Sequence, residues 1–249
     1  MRVSDLTWCQ VREYLRGKKS LILPIGSCEQ HGRHLPLSTD MIITQELAER
    51  VAEETGIVCA PGIGYGVNLP CDRLMYGTAG LSFDTLRGVA GDLVQDWARQ
   101  GFKRFYLLTG HGCSLGSFGF AHQEALKEAS RPFLVRGDIE AYLIFPYWID
   151  ISDLLDKEKQ TEHAGEVETS LIMHLRPELV KAREIRDNPE RHEGVEFKVF
   201  PEGIQRDFPE DDFSGGEGYP SSASAEKGEK IFSRFVERIV EFVKAREKA

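Results

Sequence analysis

The feature that most constrains the fold is a repeated alternation of short apolar runs with amphipathic helical patterns in the first half of the chain. The apolar runs, which we predict to be strands, cover residues 20–26, 57–60, 104–109 and 133–136. The helical patterns cover residues 41–55, 82–100 and 117–129. Such an alternation is typical of parallel strands joined by right-handed helical crossovers. It predicts an α/β fold with a mainly parallel sheet and helices on both faces.

The second half of the chain carries weaker signals. A helix is predicted at 166–175, and an amphipathic helix begins at about Ala225. Residues 186–218 are rich in Asp, Glu, Pro and Gly, which indicates surface excursions with one short strand at 195–200. No repeat or linker divides the chain, so we expect a single domain over residues 1–249.

Composition excludes several classes of protein. The formal net charge of −9 argues against a nucleic-acid-binding surface, and no apolar run reaches the roughly 20 residues of a membrane span. The polar start shows no secretory signal, and the five cysteines form no C-x-x-C pair. We therefore expect a cytoplasmic protein with free thiols, in which any metal is held by histidines and carboxylates.

A dense polar cluster, residues 26–40, follows the first predicted strand and ends where the next helix begins. In open α/β sheets, sites gather at the carboxyl ends of strands. Glu29 and His31 point the same way in an extended segment, and Asp40 follows at the mouth of the helix. One Glu, one His and one Asp can hold zinc, manganese or iron. Two alternatives stay open: Asp40 as a helix N-cap, and Glu29 with His31 as an exposed polar loop.

A second cluster places His111 directly after the predicted strand at 104–109. The flanking Gly110 and Gly112 would let the backbone turn sharply and approach a ligand closely. The alternative is a tight turn with a solvated histidine. Two strand ends that both carry ligand-type residues favour a shared site.

A third cluster, residues 161–170, places His163 before a predicted helix that begins with Glu166 and Glu168. Acidic residues in a first helical turn usually complement the helix dipole, and we expect this role for one of the two glutamates. His163, five positions before Glu168, could place an acid or base beside a metal ligand.

Together these clusters resemble the signature motifs of the creatininase family, in order and across about residues 5–245. The segment GSCEQHGRHLPLSTD at 26–40 resembles the first motif, TGHG at 109–112 the second and HAGEVETS at 163–170 the third. YGT at 76–78 resembles the family's Pro-Gly-Thr turn, and PSSASAEKG at 220–228 resembles its C-terminal run.

The resemblance implies a three-layer α/β/α sandwich and a hydrolytic site with two divalent metal ions per subunit, Zn, Mn or Fe. The ligands at matching positions are Glu29, His31, Asp40 and His111. Asp40 would be shared by both ions. Creatininase proper has a carboxylate two residues after the second-motif histidine, where this chain has Cys113. By resemblance to family members with Gly-His-Gly in the second motif, Glu168 is expected to complete the second site, with Cys113 as its rival.

The resemblance also assigns His163 to proton transfer, and Tyr76 and Thr78 are expected to orient the substrate. Two departures leave the substrate open. Gly112 stands where creatininase proper has an aromatic residue, and residues 157–160 are polar or charged where it has a covering tryptophan.

The expected activity is that of a metal-dependent amidohydrolase, in which water activated by two metal ions cleaves a C–N bond of an amide, cyclic amide or formamide. The alternatives are a ring-opening hydrolase of a cyclic polyol ketone and a non-catalytic metal-binding family member. The expected partners are a small-molecule substrate and further copies of the chain, in a hexamer by resemblance.

Overall fold

The structure is a computed structural model that describes residues 1–69, 72–112, 121–137, 139–159, 162–189, 197–198, 203–204 and 215–248. Its α-helices are α1 (Trp8–Gly17), α2 (Thr39–Thr55), α3 (Phe83–Gln100), α4 (Ala121–Arg136), α5 (Glu166–Leu175) and α6 (Ala225–Glu247). Its strands are β1 (Ser20–Ile25), β2 (Val58–Cys59), β3 (Arg104–Thr109), β4 (Glu140–Ile144), β5 (Phe197–Lys198) and β6 (Gly203–Ile204).

The main sheet is parallel and has the strand order β2-β1-β3-β4. From β1 the chain passes through α2 to β2 on one side, and then returns through α3 to β3 on the other side of β1. The strand order therefore reverses between β1 and β3. Ligands of open α/β sheets bind at such a switch point, outside the carboxyl ends of the strands. Residues 26–40 and 110–112 follow these two strands.

Alternation along the strands sends side chains into two separate cores, as expected from the two-residue period of a strand. Tyr106 and Leu108 of β3 pack with α2, α5 and α6, whereas Phe105 and Leu107 pack with α3 and α4. The sheet thus lies between two helical layers. The predicted three-layer α/β/α fold is confirmed.

One predicted strand is wrong. Residues 133–136 form the end of α4, and the strand beside β3 begins only at Glu140. Phe133 is buried in line with Leu126 and Ala129, at helical spacing, while Val135 is 81% exposed. In a strand buried between two layers, successive residues on both faces would be buried, which the exposed Val135 is not. The β propensity of this short apolar run therefore gave the wrong prediction.

The other boundaries lie close to the predicted ones. Ser82 caps α3 by accepting a hydrogen bond from the Thr85 backbone N–H, and α2 ends at the left-handed Gly56. Helix α2 begins at Thr39, two residues earlier than predicted. Of the strand expected at 195–200, Phe197 and Lys198 form β5, which pairs antiparallel with β6, and the other residues lie outside the described ones. The start predicted for α4 at residue 117 lies outside the described residues. None of the described helices is both long and apolar enough to cross a membrane.

Candidate metal centre

Five of the predicted ligands meet at the carboxyl ends of β1 and β3, and none of them is more than 4% exposed. They are Glu29, His31, Asp40, His111 and Glu168. They form two groups that share Asp40, and within each group the potential ligand atoms lie within 4.8 Å of one another.

The first group, called here the first trio, consists of Glu29, Asp40 and His111. Nδ1 of His111 lies 2.9 Å from Oδ2 of Asp40 and 3.1 Å from Oε2 of Glu29. All three residues come from the loops that follow β1 and β3 or from the first turn of α2. The sheet and α2 therefore position the whole trio.

The second trio consists of His31, Asp40 and Glu168. Nε2 of His31 lies 3.3 Å from Oδ1 of Asp40 and 3.6 Å from Oε2 of Glu168. Asp40 thus presents one carboxylate oxygen to each histidine. Its side chain is further fixed by Ser27, whose hydroxyl donates to Oδ2 at 2.6 Å.

Hydrogen bonds on the far side of each ring determine which nitrogen faces the carboxylates. His111 donates from Nε2–H to the Val67 carbonyl oxygen at 2.8 Å, and His31 donates from Nδ1–H to the Glu29 carbonyl oxygen at 3.0 Å. In the neutral tautomers, both remaining nitrogen lone pairs point at carboxylate oxygens. Such an arrangement requires a cation between them, and a second hydrogen bond that orients each histidine is typical of metal ligands.

The electrostatics of the cluster agree with this need for positive charge. Burial alone would lower the pKa of His31, but Asp40 and Glu168 outweigh burial and raise that pKa to about 10. Burial alone would also lower the pKa of His111, but Glu29 and Asp40 outweigh burial and raise that pKa well above its ordinary value. Without a metal ion, protons on the two rings offset part of the charge of the three buried carboxylates. With both rings neutral, three carboxylates of total charge −3 would match two divalent ions to within one charge unit.

The structure decides between the alternatives that the sequence left open. Ser38, not Asp40, is the N-cap position of α2, and Asp40 directs its carboxylate to the two histidines. Glu29 and His31 are buried, so the exposed-loop interpretation is wrong. His111 is also buried, which excludes a solvated turn.

The two glutamates of α5 have different roles. Glu166 accepts hydrogen bonds from the backbone N–H groups of Asp156, Lys157 and Glu158, and it pairs with Lys227. Glu166 therefore fixes the segment at 156–158 and the start of α6 against α5. The helix-dipole role expected for one of the two glutamates stays a prediction. Oε2 of Glu168 instead accepts from the Ala164 backbone N–H at 2.7 Å and reaches the second trio.

A strained turn connects His163 to Glu168. Ala164 has φ of 54°, in the left-handed region that non-glycine residues seldom adopt. This turn holds the half-buried His163 with its ring centroid 4.5 Å from that of His31. His163 also forms a third candidate ligand group with Glu29 and His31. It therefore borders the centre, in reach of both trios.

Gln30 joins His163 to the neighbouring loops. Its side-chain amide nitrogen donates to Oδ1 of Asp72 at 2.9 Å and to the Gly215 carbonyl oxygen at 2.6 Å. Nε2 of His163 lies 2.8 Å from the Gln30 backbone carbonyl oxygen and 2.9 Å from the Gln30 side-chain nitrogen. Burial, reinforced by Glu29, raises the pKa of Asp72 to about 7. Sequence reasoning missed the roles of both residues: Gln30 lies inside the first motif but is not a ligand-type residue, and Asp72 belongs to no motif of ligand-type residues.

The two predicted substrate residues lie at different depths. The hydroxyl of Thr78 accepts from the Gln30 backbone N–H at 2.9 Å, so Thr78 supports the loop that carries Glu29 and His31. Tyr76 is fully exposed. Substrate contact by either residue stays a prediction.

A phenol was also missed. The hydroxyl of Tyr147 is buried and makes no hydrogen bond with any residue that the structure describes. Burial, followed by the charges of Glu168 and Asp40, raises the pKa of Tyr147 well above its ordinary value. The aromatic run at 142–148 was visible in the sequence, but nothing there showed which of its members reaches the second trio.

The glycines around His111 are required by packing. A Cβ at Gly112 would lie 2.7 Å from Cζ of Phe145, and one at Gly110 would lie 2.6 Å from Oγ1 of Thr44. Phe145 thus occupies the space beside Gly112. Cys113, the rival ligand for the second trio, lies outside the described residues.

Comparisons with known proteins agree with this geometry. A family model described as creatininase, creatinine amidohydrolase, matches residues 4–243. Creatinine amidohydrolase of Pseudomonas putida is 28% identical, over 97% of this chain and 95% of that protein. The 3-dehydro-scyllo-inosose hydrolase of Thermotoga maritima is 29% identical, over 70% of this chain and 56% of that protein. The mycofactocin precursor peptide peptidase of Mycobacterium ulcerans is 26% identical, over 89% of this chain and 83% of that protein.

Solved structures extend the agreement to the fold. A manganese form of creatininase superposes with a TM-score of 0.80 at 27% identity and covers 98% of both chains. A zinc form of a creatininase mutant superposes with a TM-score of 0.79 at 28% identity, over 98% of this chain and 97% of that one. Because the family model and the shared fold both span nearly the whole chain, the protein belongs to the creatininase family of hydrolases.

Proposed function

We propose that this chain is a metal-dependent amidohydrolase that cleaves a C–N bond of an amide, cyclic amide or formamide with water activated at a two-metal site. The observation that carries the proposal is the placement of Asp40, which directs Oδ2 to His111 and Oδ1 to His31. One buried carboxylate that faces two oriented histidines is suited to bridge two ions in a hydrolytic site. The manganese and zinc forms of creatininase support the same chemistry.

Two divalent ions bound here would supply a hydroxide at neutral pH and would polarise a carbonyl oxygen. The residues of this chain hold the ions and shape the site. Asp40 spans both trios, and Glu29 and Glu168 complete one trio each. The ligand side chains are buried, so bulk water is kept away from them. Electrostatic interactions within such a site are stronger than in water.

We assign proton transfer to His163. Its Nε2 lies 2.8 Å from the Gln30 backbone carbonyl oxygen and 2.9 Å from the Gln30 side-chain amide nitrogen; in the tautomer that donates from Nε2–H to the carbonyl oxygen, Nδ1 is the proton-accepting atom. Because an imidazole has one nitrogen that accepts a proton and one that donates, His163 can carry a proton from the attacking water to the leaving nitrogen. His163→Ala is expected to retain both ions and to lower turnover by roughly 10²–10⁴-fold.

The substrate class rests on the carbonyl that all candidates share. The three relatives are an amidohydrolase, a hydrolase of an inosose and a peptidase. Ring-opening hydrolysis of a cyclic polyol ketone is the second candidate function, and the 29% identity to the inosose hydrolase favours it.

A substrate panel tests the proposal. The purified protein is stripped with a chelator, reloaded with Zn²⁺, Mn²⁺ or Fe²⁺, and assayed for released amine, formate or acid. The panel contains a cyclic amide, formamides, short peptides and a cyclic polyol ketone, and the His163→Ala protein is the control. Metal-dependent release of amine or formate supports the proposal. Turnover of the ketone alone would favour the second candidate, and a fully metal-loaded protein that turns over none of them would favour a binding role.

We further propose a homo-oligomer, with a hexamer as the first candidate from the family resemblance. Light scattering at micromolar concentration measures the mass in solution. A monomer of 28.1 kDa would contradict this part of the proposal.

A further inference from the structure

His122 has no part in the proposed reaction, yet it is fully buried beside the centre. It lies in the first turn of α4, and its ring meets that of His111 edge to face, with a centroid distance of 4.8 Å and an interplanar angle of 89°. Buried polar groups are costly unless they are hydrogen-bonded, so the partners of this ring indicate its purpose.

Both nitrogens of His122 are engaged. Nδ1 accepts from the Val67 backbone N–H at 3.2 Å, so the proton of the neutral ring is on Nε2. Nε2–H then donates to the hydroxyl oxygen of Thr109 at 3.0 Å. Neither nitrogen is left to bind a metal.

Val67 links the two histidines. Its N–H donates to His122, and its carbonyl oxygen accepts from Nε2 of His111 at 2.8 Å. Thr109 forms a second link, because its hydroxyl oxygen accepts both from His122 and from the His111 backbone N–H at 3.2 Å. His122 therefore fixes the carbonyl that orients the His111 ring and also the strand end from which His111 projects.

The packing leaves little freedom for other arrangements. A Cβ at Gly66 would lie 2.9 Å from Nδ1 of His122 and 3.0 Å from Cδ2 of His111. The backbone at 66–67 is thus seated directly against both rings. A side chain at 122 that could not accept from Val67 would release this segment from its position.

We propose that His122 is a positioning residue for the first trio: through Val67 and Thr109 it holds His111 with Nε2 protonated and Nδ1 directed at Glu29 and Asp40. This inference rests on the proposed function only in expecting an ion at the first trio. Groups that orient metal-binding histidines typically change metal affinity by roughly 10- to 100-fold when they are removed.

The test compares two substitutions at His122 and one at Thr109 with one matched control. His122→Phe keeps the ring volume and removes both hydrogen bonds, whereas His122→Asn keeps an acceptor near the Nδ1 position. Thr109→Val removes the hydroxyl and leaves His122 in place, so it serves if His122→Phe does not fold. His174→Phe is the control, because His174 lies on the last turn of α5 and packs against Phe232 of α6.

Zinc affinity is measured by titration against a competing chelator, with folding checked by circular dichroism. His122→Phe is expected to weaken one of the two ions by roughly 10- to 100-fold. Thr109→Val is expected to weaken the same ion less, and His122→Asn and His174→Phe are expected to stay close to wild type. If a folded His122→Phe protein bound both ions as tightly as wild type does, the proposal would be overturned.

A second readout does not depend on metal binding. In the metal-free protein, the Nε2–H of His111 should give a protected imidazole proton signal by nuclear magnetic resonance, because Val67 accepts it in a buried site. The signal should persist in His122→Asn and exchange faster in His122→Phe. If wild type bound no zinc, the proposed function would fail, while this exchange rate would still decide the role of His122. Unchanged exchange in His122→Phe would overturn that role.

Discussion

The two trios share one carboxylate but differ in how the fold supports them. In the first trio, His111 lies 2.9 Å and 3.1 Å from its two carboxylates, whereas in the second trio His31 lies 3.3 Å and 3.6 Å away from them. The first trio comes entirely from two adjacent strand ends and α2. The second trio takes Glu168 from α5, behind the strained turn at Ala164. We infer that the sheet preorganises the first trio and that the second depends on distant packing.

The strongest way to break this comparison is to remove the residue that both trios share. Asp40→Ala is expected to abolish binding of both ions and all metal-dependent turnover, because each trio loses its central carboxylate. Metal content per chain is measured by elemental mass spectrometry after reloading and desalting. Asp84→Ala, an exposed residue in the first turn of α3, is the control and should bind two ions. A folded Asp40→Ala protein with two ions would show that Asp40 does not bridge.

Removing Glu168 separates the trios. Glu168→Gln is expected to lower the metal content to about one ion per chain, because only the second trio loses a ligand. Cys113→Ser should leave two ions. The reverse result, with metal lost from Cys113→Ser and kept in Glu168→Gln, would mean that a thiolate completes the second trio.

The neighbouring glutamate provides a matched control for Glu168. Glu166→Gln is expected to keep both ions and to lower the free energy of unfolding by about 1–3 kcal/mol, because a buried charged acceptor is lost. Chemical denaturation of the metal-free protein measures this change. Loss of an ion from Glu166→Gln would show that occupancy responds to the stability of α5 rather than to ligation by Glu168.

The pH dependence of metal binding sharpens the same comparison. His31, with a pKa raised to about 10 in the metal-free protein, is protonated at pH 7, so an ion must displace that proton. Affinity should therefore increase with pH by about tenfold per unit for each proton displaced, up to the pKa of the ring. Calorimetry in two buffers of different ionisation enthalpy counts the protons released. If the affinity did not change between pH 7 and 9 and no proton were released, His31 would not be protonated in the metal-free protein.

The smallest expected effect concerns Tyr147. Its buried hydroxyl has no hydrogen-bond partner among the described residues, so Tyr147→Phe should leave the unfolding free energy of the metal-free protein unchanged or raise it by up to about 1 kcal/mol. Tyr106→Phe is the control, because the Tyr106 hydroxyl donates to Glu247 at 2.9 Å and its loss should destabilise by about 1 kcal/mol. Destabilisation of Tyr147→Phe equal to that of the control would mean that Tyr147 has a structural partner.

The parts of the molecule that the sequence predicted well are those whose signals are local. The buried strand at 104–109 and the ligand-type residues after it carry their own pattern, and so do the motifs around Glu29 and His163. The apolar stretch at 133–136 was misread because strand and helix share short apolar runs, and only packing showed that Val135 faces solvent. The role of His122 and the packing of Phe145 against Gly112 depend on contacts between distant segments. No spacing along the chain encodes them.

The central claim is that one carboxylate, Asp40, serves two metal ions. Anomalous scattering from a crystal of the Mn²⁺- or Zn²⁺-loaded protein tests it most directly. We predict two peaks about 3.5–4 Å apart, one next to each carboxylate oxygen of Asp40. The second peak should also touch His31 and Glu168. A single peak at full metal loading, or two peaks of which only one touches Asp40, would contradict the account.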